Sequence, residues 1–156
     1  MNKNNVWYLA KDIHLNVSPD IPKDFCFGFD DRISGDIRNE LVDFVIWVEA
    51  NFNIPICLWV DFEYKHYLMT RSKKRAGFLF YWSDFADYPN FNNISDIPRI
   101  KLPVRTEYWT TEEILVSFIE AITCYFAWIT NTHTENYSPD DETVEEILQE
   151  YLNRNN

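Results

Sequence analysis

From residue 36 onward the apolar positions of this chain follow two distinct periods. Between Asp36 and Phe52, Ile37, Leu41, Phe44, Val45, Val48 and Phe52 recur at the i, i+4, i+7, i+8 spacing of one helical stripe. Ile46 lies on the opposite side of that helix, with Val42 between. The helix is therefore either covered on two faces or presents an apolar patch, and burial is the expectation. Over residues 54–69 the period drops to two. Ile56, Leu58, Val60, Phe62, Tyr64, His66 and Leu68 point one way; Cys57, Trp59, Asp61, Glu63, Lys65 and Tyr67 point the other. A long strand with one core face follows from that alternation.

Thr70 to Gly77 is a basic loop and Phe78 to Trp82 a second strand, which predicts a hairpin. After a loop over 84–97, Ile100, Leu102 and Val104 alternate with Arg99, Lys101 and Arg105 as a third strand. Its flanking Pro98 and Pro103 lack ladder donors and place it near an edge.

Two helices close the chain. Thr110-Thr111-Glu112-Glu113 is a capping box opening a helix that runs to about Ile129. Ser138-Pro139-Asp140-Asp141 supplies a serine cap, a first-turn proline and first-turn acids for a helix over 139–153. Its buried side is Val144, Ile147, Leu148, Tyr151 and Leu152. The segment 1–35 holds short apolar runs broken by Pro19 and Pro22, read as two or three short strands, then a turn at Asp30, Asp31, Ser34 and Gly35 with several possible N-caps. No repeat or linker divides the chain. The expected fold is one α+β domain over 1–156: an antiparallel meander (54–105) packed against helices at 36–52, 110–130 and 139–153.

Composition narrows the chemistry. With 156 residues, 46% of them hydrophobic, the chain is large and apolar enough for a core and unlike a disordered segment. Three glycines leave no phosphate-cradling loop, no GxGxxG or Walker pattern occurs, and no cofactor is expected. No apolar run nears a membrane span and no charged-then-apolar leader opens the sequence, so a cytoplasmic protein without a membrane partner is expected. Cys26, Cys57 and Cys124 are odd in number and far apart, as reduced core residues would be.

Charge is distributed unevenly within a net of −11. Residues 107–156 carry eleven Asp or Glu against Arg154 alone, whereas residues 62–106 carry four acids and eight bases. This polarity argues against nucleic acid and for a cationic partner. The helix–strand–strand–strand–helix order resembles double-stranded RNA-binding domains in topology only, because Glu112 and Glu113 stand where such a domain needs cations. Lys73-Lys74-Arg75 reads as a solvated turn.

Catalytic signatures are sparse. His14, His66 and His133 do not converge in sequence, His133 and Glu135 lack further metal ligands, and no HExxH or GxSxG is present. Glu113 and Glu120 share a small-sided helix face with Val116, Ser117, Ala121, Cys124 and Ala127, suited to close packing. A carboxylate there is either a structural ion pair with Arg38, Arg99 or Arg105, or an acid–base group of raised pKa. The expected function is non-enzymatic: a small acidic protein that recognises and neutralises a basic protein, in the manner of an immunity, antitoxin or phage inhibitor protein. The expected contact residues are Glu142, Glu145, Glu146 and Glu150, with Tyr137, Tyr151 and Trp128 as aromatic anchors. The alternatives are a hydrolase site assembled around Glu120 and a histidine, and a homodimeric subunit pairing basic sheet edge with acidic helices.

Overall fold

The computed structural model describes residues 7, 16–17, 19, 27–52, 56–62, 79–81, 90–91, 97–102, 109–130 and 141–155. Strands β1 (Asn16–Val17) and β2 (Phe27–Phe29) precede helix α1 (Gly35–Phe52). Strands β3 (Leu58–Phe62), β4 (Leu79–Tyr81), β5 (Asn90–Phe91) and β6 (Arg99–Leu102) follow, then helices α2 (Thr111–Ile129) and α3 (Asp141–Leu152).

The sheet is not the antiparallel meander that the alternation suggested. Its order is β2-β3-β6-β4, with β2, β3 and β6 parallel and only β4 antiparallel, against β6. A second, two-stranded parallel pair joins β1 to β5. Among the described residues β3 and β4 do not pair, as the expected hairpin between residues 54–69 and 78–82 requires; β6 lies between them. Placed next to the edge strand β4, β6 is itself an inner strand. Its four residues, Arg99–Leu102, contain no proline, so each can donate to a neighbour. Pro98 sits just before the strand, where its carbonyl still accepts the Trp59 N–H at 3.0 Å.

Strand direction follows from the crossover. The chain leaves β2, turns at Asp30, runs through α1 and returns beside its starting strand, which makes β2 and β3 parallel. The turn is locally encoded. Asp30 accepts from the Arg32 backbone and guanidinium through Oδ1, each at 2.9 Å, and pairs with Arg32 through Oδ2 at 2.7 Å. Its own N–H extends the ladder to the Val60 carbonyl at 2.8 Å. Ser34 caps α1, its Oγ accepting from the Ile37 N–H at 3.5 Å and its carbonyl from the Arg38 N–H at 3.0 Å.

Within the described strand residues the faces read from the alternation are those observed, although Cys57, assigned to the outer face, is buried just before β3. Leu58, Val60, Ile100 and Leu102 are buried, whereas Trp59, Asp61 and Lys101 are half-buried and Arg99 is exposed. Arg99 pairs with Asp61 at 3.1 Å on that outer face and lies 6.0 Å from the centre of the Trp59 ring. One of the cations assigned to the sheet is thus neutralised within the sheet.

Helix α2 is the centre of the core. Of its 19 residues, 15 are buried, as expected of a helix apolar around most of its circumference. The capping box forms as predicted: Thr110 Oγ1 accepts from the Glu113 N–H at 3.1 Å, and Glu113 Oε1 from the Thr110 N–H at 3.0 Å. Phe118 meets Phe27 of β2 at 6.1 Å and Phe44 of α1 at 6.0 Å. Trp7 packs edge-on against Phe126 at 4.7 Å and donates its indole N–H to Thr123 Oγ1 at 2.9 Å. Tyr125 Oη accepts the Cys57 N–H at 3.2 Å, tying α2 to the approach to β3. The predicted stripe of α1 (Ile37, Leu41, Phe44, Val45, Val48, Phe52) is buried throughout. Ile46 departs from expectation: it is 61% exposed.

Candidate partner-binding surface

Helix α3 begins at Asp141; the Ser138-Pro139 cap lies outside the described residues. Thr143, Val144, Ile147, Leu148 and Tyr151 are buried, so the remaining positions turn outward. Leu152, assigned to the buried side, is 45% exposed. Glu142, Glu145 and Glu150 are exposed and Glu146 is half-buried. These four glutamates and Gln149 line one shallow groove of about 510 Å³. Gln149 donates from Nε2 to Glu145 Oε1 at 3.0 Å, across one turn.

Glu145 also lines an adjoining cleft of about 600 Å³ where the N-termini of α2 and α3 approach each other. Thr110, Glu112, Glu113 and Val116 form one wall, Asp141, Val144 and Glu145 the other. Seven carboxylates thus share one side of the molecule: Glu112, Glu113, Asp141, Glu142, Glu145, Glu146 and Glu150. Their fields are not equal. Glu112, Glu113, Asp141 and Glu142 lie in first turns, where the positive end of the helix dipole offsets part of their charge. Glu145, Glu146 and Glu150 lie beyond that turn and present the least compensated negative charge. Sequence reasoning had placed the α3 acids but not this cleft. The acids in both first turns were a visible signal, yet only the packing of α2 on α3 joins them.

Two of the three aromatic anchors, Tyr151 and Trp128, do not belong to this surface. Tyr151 is fully buried, its ring 5.1 Å from Phe44 and 5.6 Å from Trp47, with the Arg154 guanidinium 3.9 Å from the ring centre. Its hydroxyl donates to Glu40 Oε1 at 3.5 Å. Burial, with Glu40 and Asp43 nearby, pushes its pKa up to about 12, against the lowering effect of Arg154. Trp128 is 6% exposed and packs 6.3 Å from Tyr125. Both positions fall where their helices meet the core, which turns the rings inward. Tyr137 lies outside the described residues.

Other candidates separate similarly. Glu120 is 2% exposed, on a face where Ser117, Ala121, Cys124 and Ala127 are also buried, as the small side chains there implied. Two of the cations considered for it are engaged elsewhere: Arg99 pairs with Asp61, and Arg38 donates to the Ile33 and Asp31 carbonyls at 3.0 and 3.4 Å. His14, His66, His133, Glu135, Arg105 and the Lys73-Lys74-Arg75 cluster lie outside the described residues. Among the described residues no group of three or more His, Cys, Asp or Glu could hold a metal ion. Cys57 and Cys124 are buried and reduced. Among the described residues no helix is long and apolar enough to cross a membrane.

No known protein family, curated protein or solved structure matches this chain. The functional reading therefore rests on the surface itself. Helix α1 carries further acids, with Asp36, Asp43 and Glu49 exposed and Glu40 half-buried. Partial burial raises the Glu49 carboxyl above the ordinary carboxylate range, opposed by a backbone hydrogen bond from Ile56.

Proposed function

We propose that this protein is a small binding protein whose acidic helical side recognises and neutralises a basic protein, a role of the immunity or inhibitor type. The observation that carries the proposal is the grouping of Glu142, Glu145, Glu146 and Glu150 around one open groove that adjoins a second acidic cleft. Carboxylates in a concave surface raise the local concentration of a cation and speed encounter. A partner that normally holds phosphates in a basic groove would meet the α3 carboxylates in their place.

The test is affinity capture from the native host, followed by titration of the retained protein against wild type and the Glu145→Gln, Glu146→Gln, Glu150→Gln triple variant. The retained protein should be basic. Its association should slow by about tenfold or more between 50 and 200 mM salt. The triple variant should bind at least tenfold more weakly. Full affinity in that variant removes α3 from the recognition surface.

A further inference from the structure

Among the described residues the acidic surface of α3 carries no large apolar side chain more than half exposed, since Tyr151 and Trp128 are buried and Leu152 is 45% exposed, and charge alone gives encounter rather than residence. The outer side of α1 supplies one. Ile46 is 61% exposed, the most exposed large apolar side chain among the described residues. Half-buried Val42 and exposed Ala50 stand one turn before and after it, so an apolar stripe runs along the helix. Asp43 and Glu49 flank Ile46 at i−3 and i+3, both exposed. The only cation of α1, Arg38, is occupied by the Ile33 and Asp31 carbonyls.

A neighbouring flank of the same helix packs against α3. The Trp47 ring, next to Ile46 in sequence, lies 5.6 Å from Tyr151, whose hydroxyl reaches Glu40. The occupant is selected by charge. A second copy docking α1 on α1 would set Asp43 and Glu49 against their own counterparts, which is repulsive. A segment with an apolar side chain between Lys or Arg residues meets both the stripe and its rim.

We propose that Ile46 is the apolar anchor of the recognition surface, receiving a cationic amphipathic segment of the basic partner whose Lys or Arg side chains meet Asp43 and Glu49. This rests on the reading of the acidic side as a site for a basic protein.

The test uses the full chain and three labelled 14-residue peptides: an amphipathic Leu/Lys helix, a Ser/Lys peptide of equal charge, and a Leu/Glu helix. Binding is read by fluorescence anisotropy at 150 mM salt. The Leu/Lys peptide should bind and the Leu/Glu peptide should not. Ile46→Ser, with unchanged far-UV circular dichroism, should weaken the Leu/Lys peptide about tenfold, given the apolar area lost. Ile46→Leu should restore binding, and the weaker Ser/Lys peptide should not distinguish Ile46→Ser from wild type.

Equal binding of the Leu/Lys peptide to wild type and Ile46→Ser overturns the anchor. If the Glu145, Glu146, Glu150 triple variant weakens that peptide in the same series, the α3 reading still stands. Loss on Ile46→Ser with none in the triple variant supports the anchor and overturns α3. Absence of binding by all three peptides overturns both. A wild-type dimer in sedimentation equilibrium that Ile46→Ser converts to monomer overturns the anchor in favour of self-association.

Discussion

Replacing Phe44 by alanine is the sharpest test of how this molecule holds its acidic helix in place. Phe44 is fully buried on α1 and joins all three helices and Trp7. Its ring lies 6.4 Å from Trp7, 5.7 Å from Trp47, 6.0 Å from Phe118 of α2 and 5.1 Å from Tyr151 of α3. Three of these contacts, those with Trp7, Phe118 and Tyr151, are edge-to-face, with interplanar angles of 78°, 77° and 79°. Such pairs contribute about 0.5–1.5 kcal/mol each beyond area burial.

Truncation leaves a cavity among four aromatic rings that cannot all collapse together, so the loss should be about 3–5 kcal/mol. That is a fifth or more of a typical domain stability of about 5–15 kcal/mol. Phe44→Leu keeps most of the volume and should cost about 1–2 kcal/mol, chiefly through the lost ring geometry. Urea unfolding followed by far-UV circular dichroism should show a midpoint lowered by about 2 M with an unchanged slope. Ile46→Ala, two positions away and exposed, should fall within about 0.5 kcal/mol of wild type. Because Tyr151 rests on Phe44, hydrogen exchange in α3 should accelerate more than in the middle of α2. A Phe44→Ala loss below about 1 kcal/mol, or one equal to that of Ile46→Ala, would refute the packing account.

Two further outcomes follow from particular hydrogen bonds. Thr110→Ala removes one half of the capping box and should cost about 1 kcal/mol, with Thr110→Ser recovering most of it in the same unfolding measurement; an alanine variant as stable as wild type would show that the cap contributes nothing. The Tyr151 phenol, raised to about 12, favours the neutral form in the folded protein over the unfolded value of 10.0. Stability from this group is therefore complete below pH 10.0 and lost as pH climbs through about 12. Tyrosinate absorbance should show a late-titrating step that Tyr151→Phe abolishes, and an identical titration curve in that variant would disprove the assignment.

Local rules account for much of the molecule. The stripe of α1, the capping box of α2 and the outward acids of α3 each depend on residues within one or two turns, where backbone geometry alone sets which side chains share a face. The alternation at Leu58–Val60 and Ile100–Leu102 likewise located the buried side of the sheet. The acid groove was legible for the same reason, since Glu142, Glu145, Glu146 and Glu150 lie along one outward side.

Relations between elements depended on the assembled chain. A period of two fixes a strand's faces but carries no information on the direction or identity of its neighbour, so β6 could enter between β3 and β4 and run parallel to β3. The three residues of β2 are too few to show alternation, which hid the crossover that makes the sheet parallel. Tyr151 lies on the side of α3 that periodicity marks as buried, so its use as an outward anchor conflicted with that pattern, whereas Trp128 sits on a helix apolar around most of its circumference and packs inward beside Tyr125. Ile46 is the converse case, left in solvent because neighbouring elements cover one side of α1 and not the other. The sequence by itself thus determined the helices, the capping box of α2 and the acidic side of α3. Tertiary packing decided strand order, the joining of two acidic surfaces at Glu145, and the exposure of Ile46 on α1, because each depends on contacts between residues far apart in the chain.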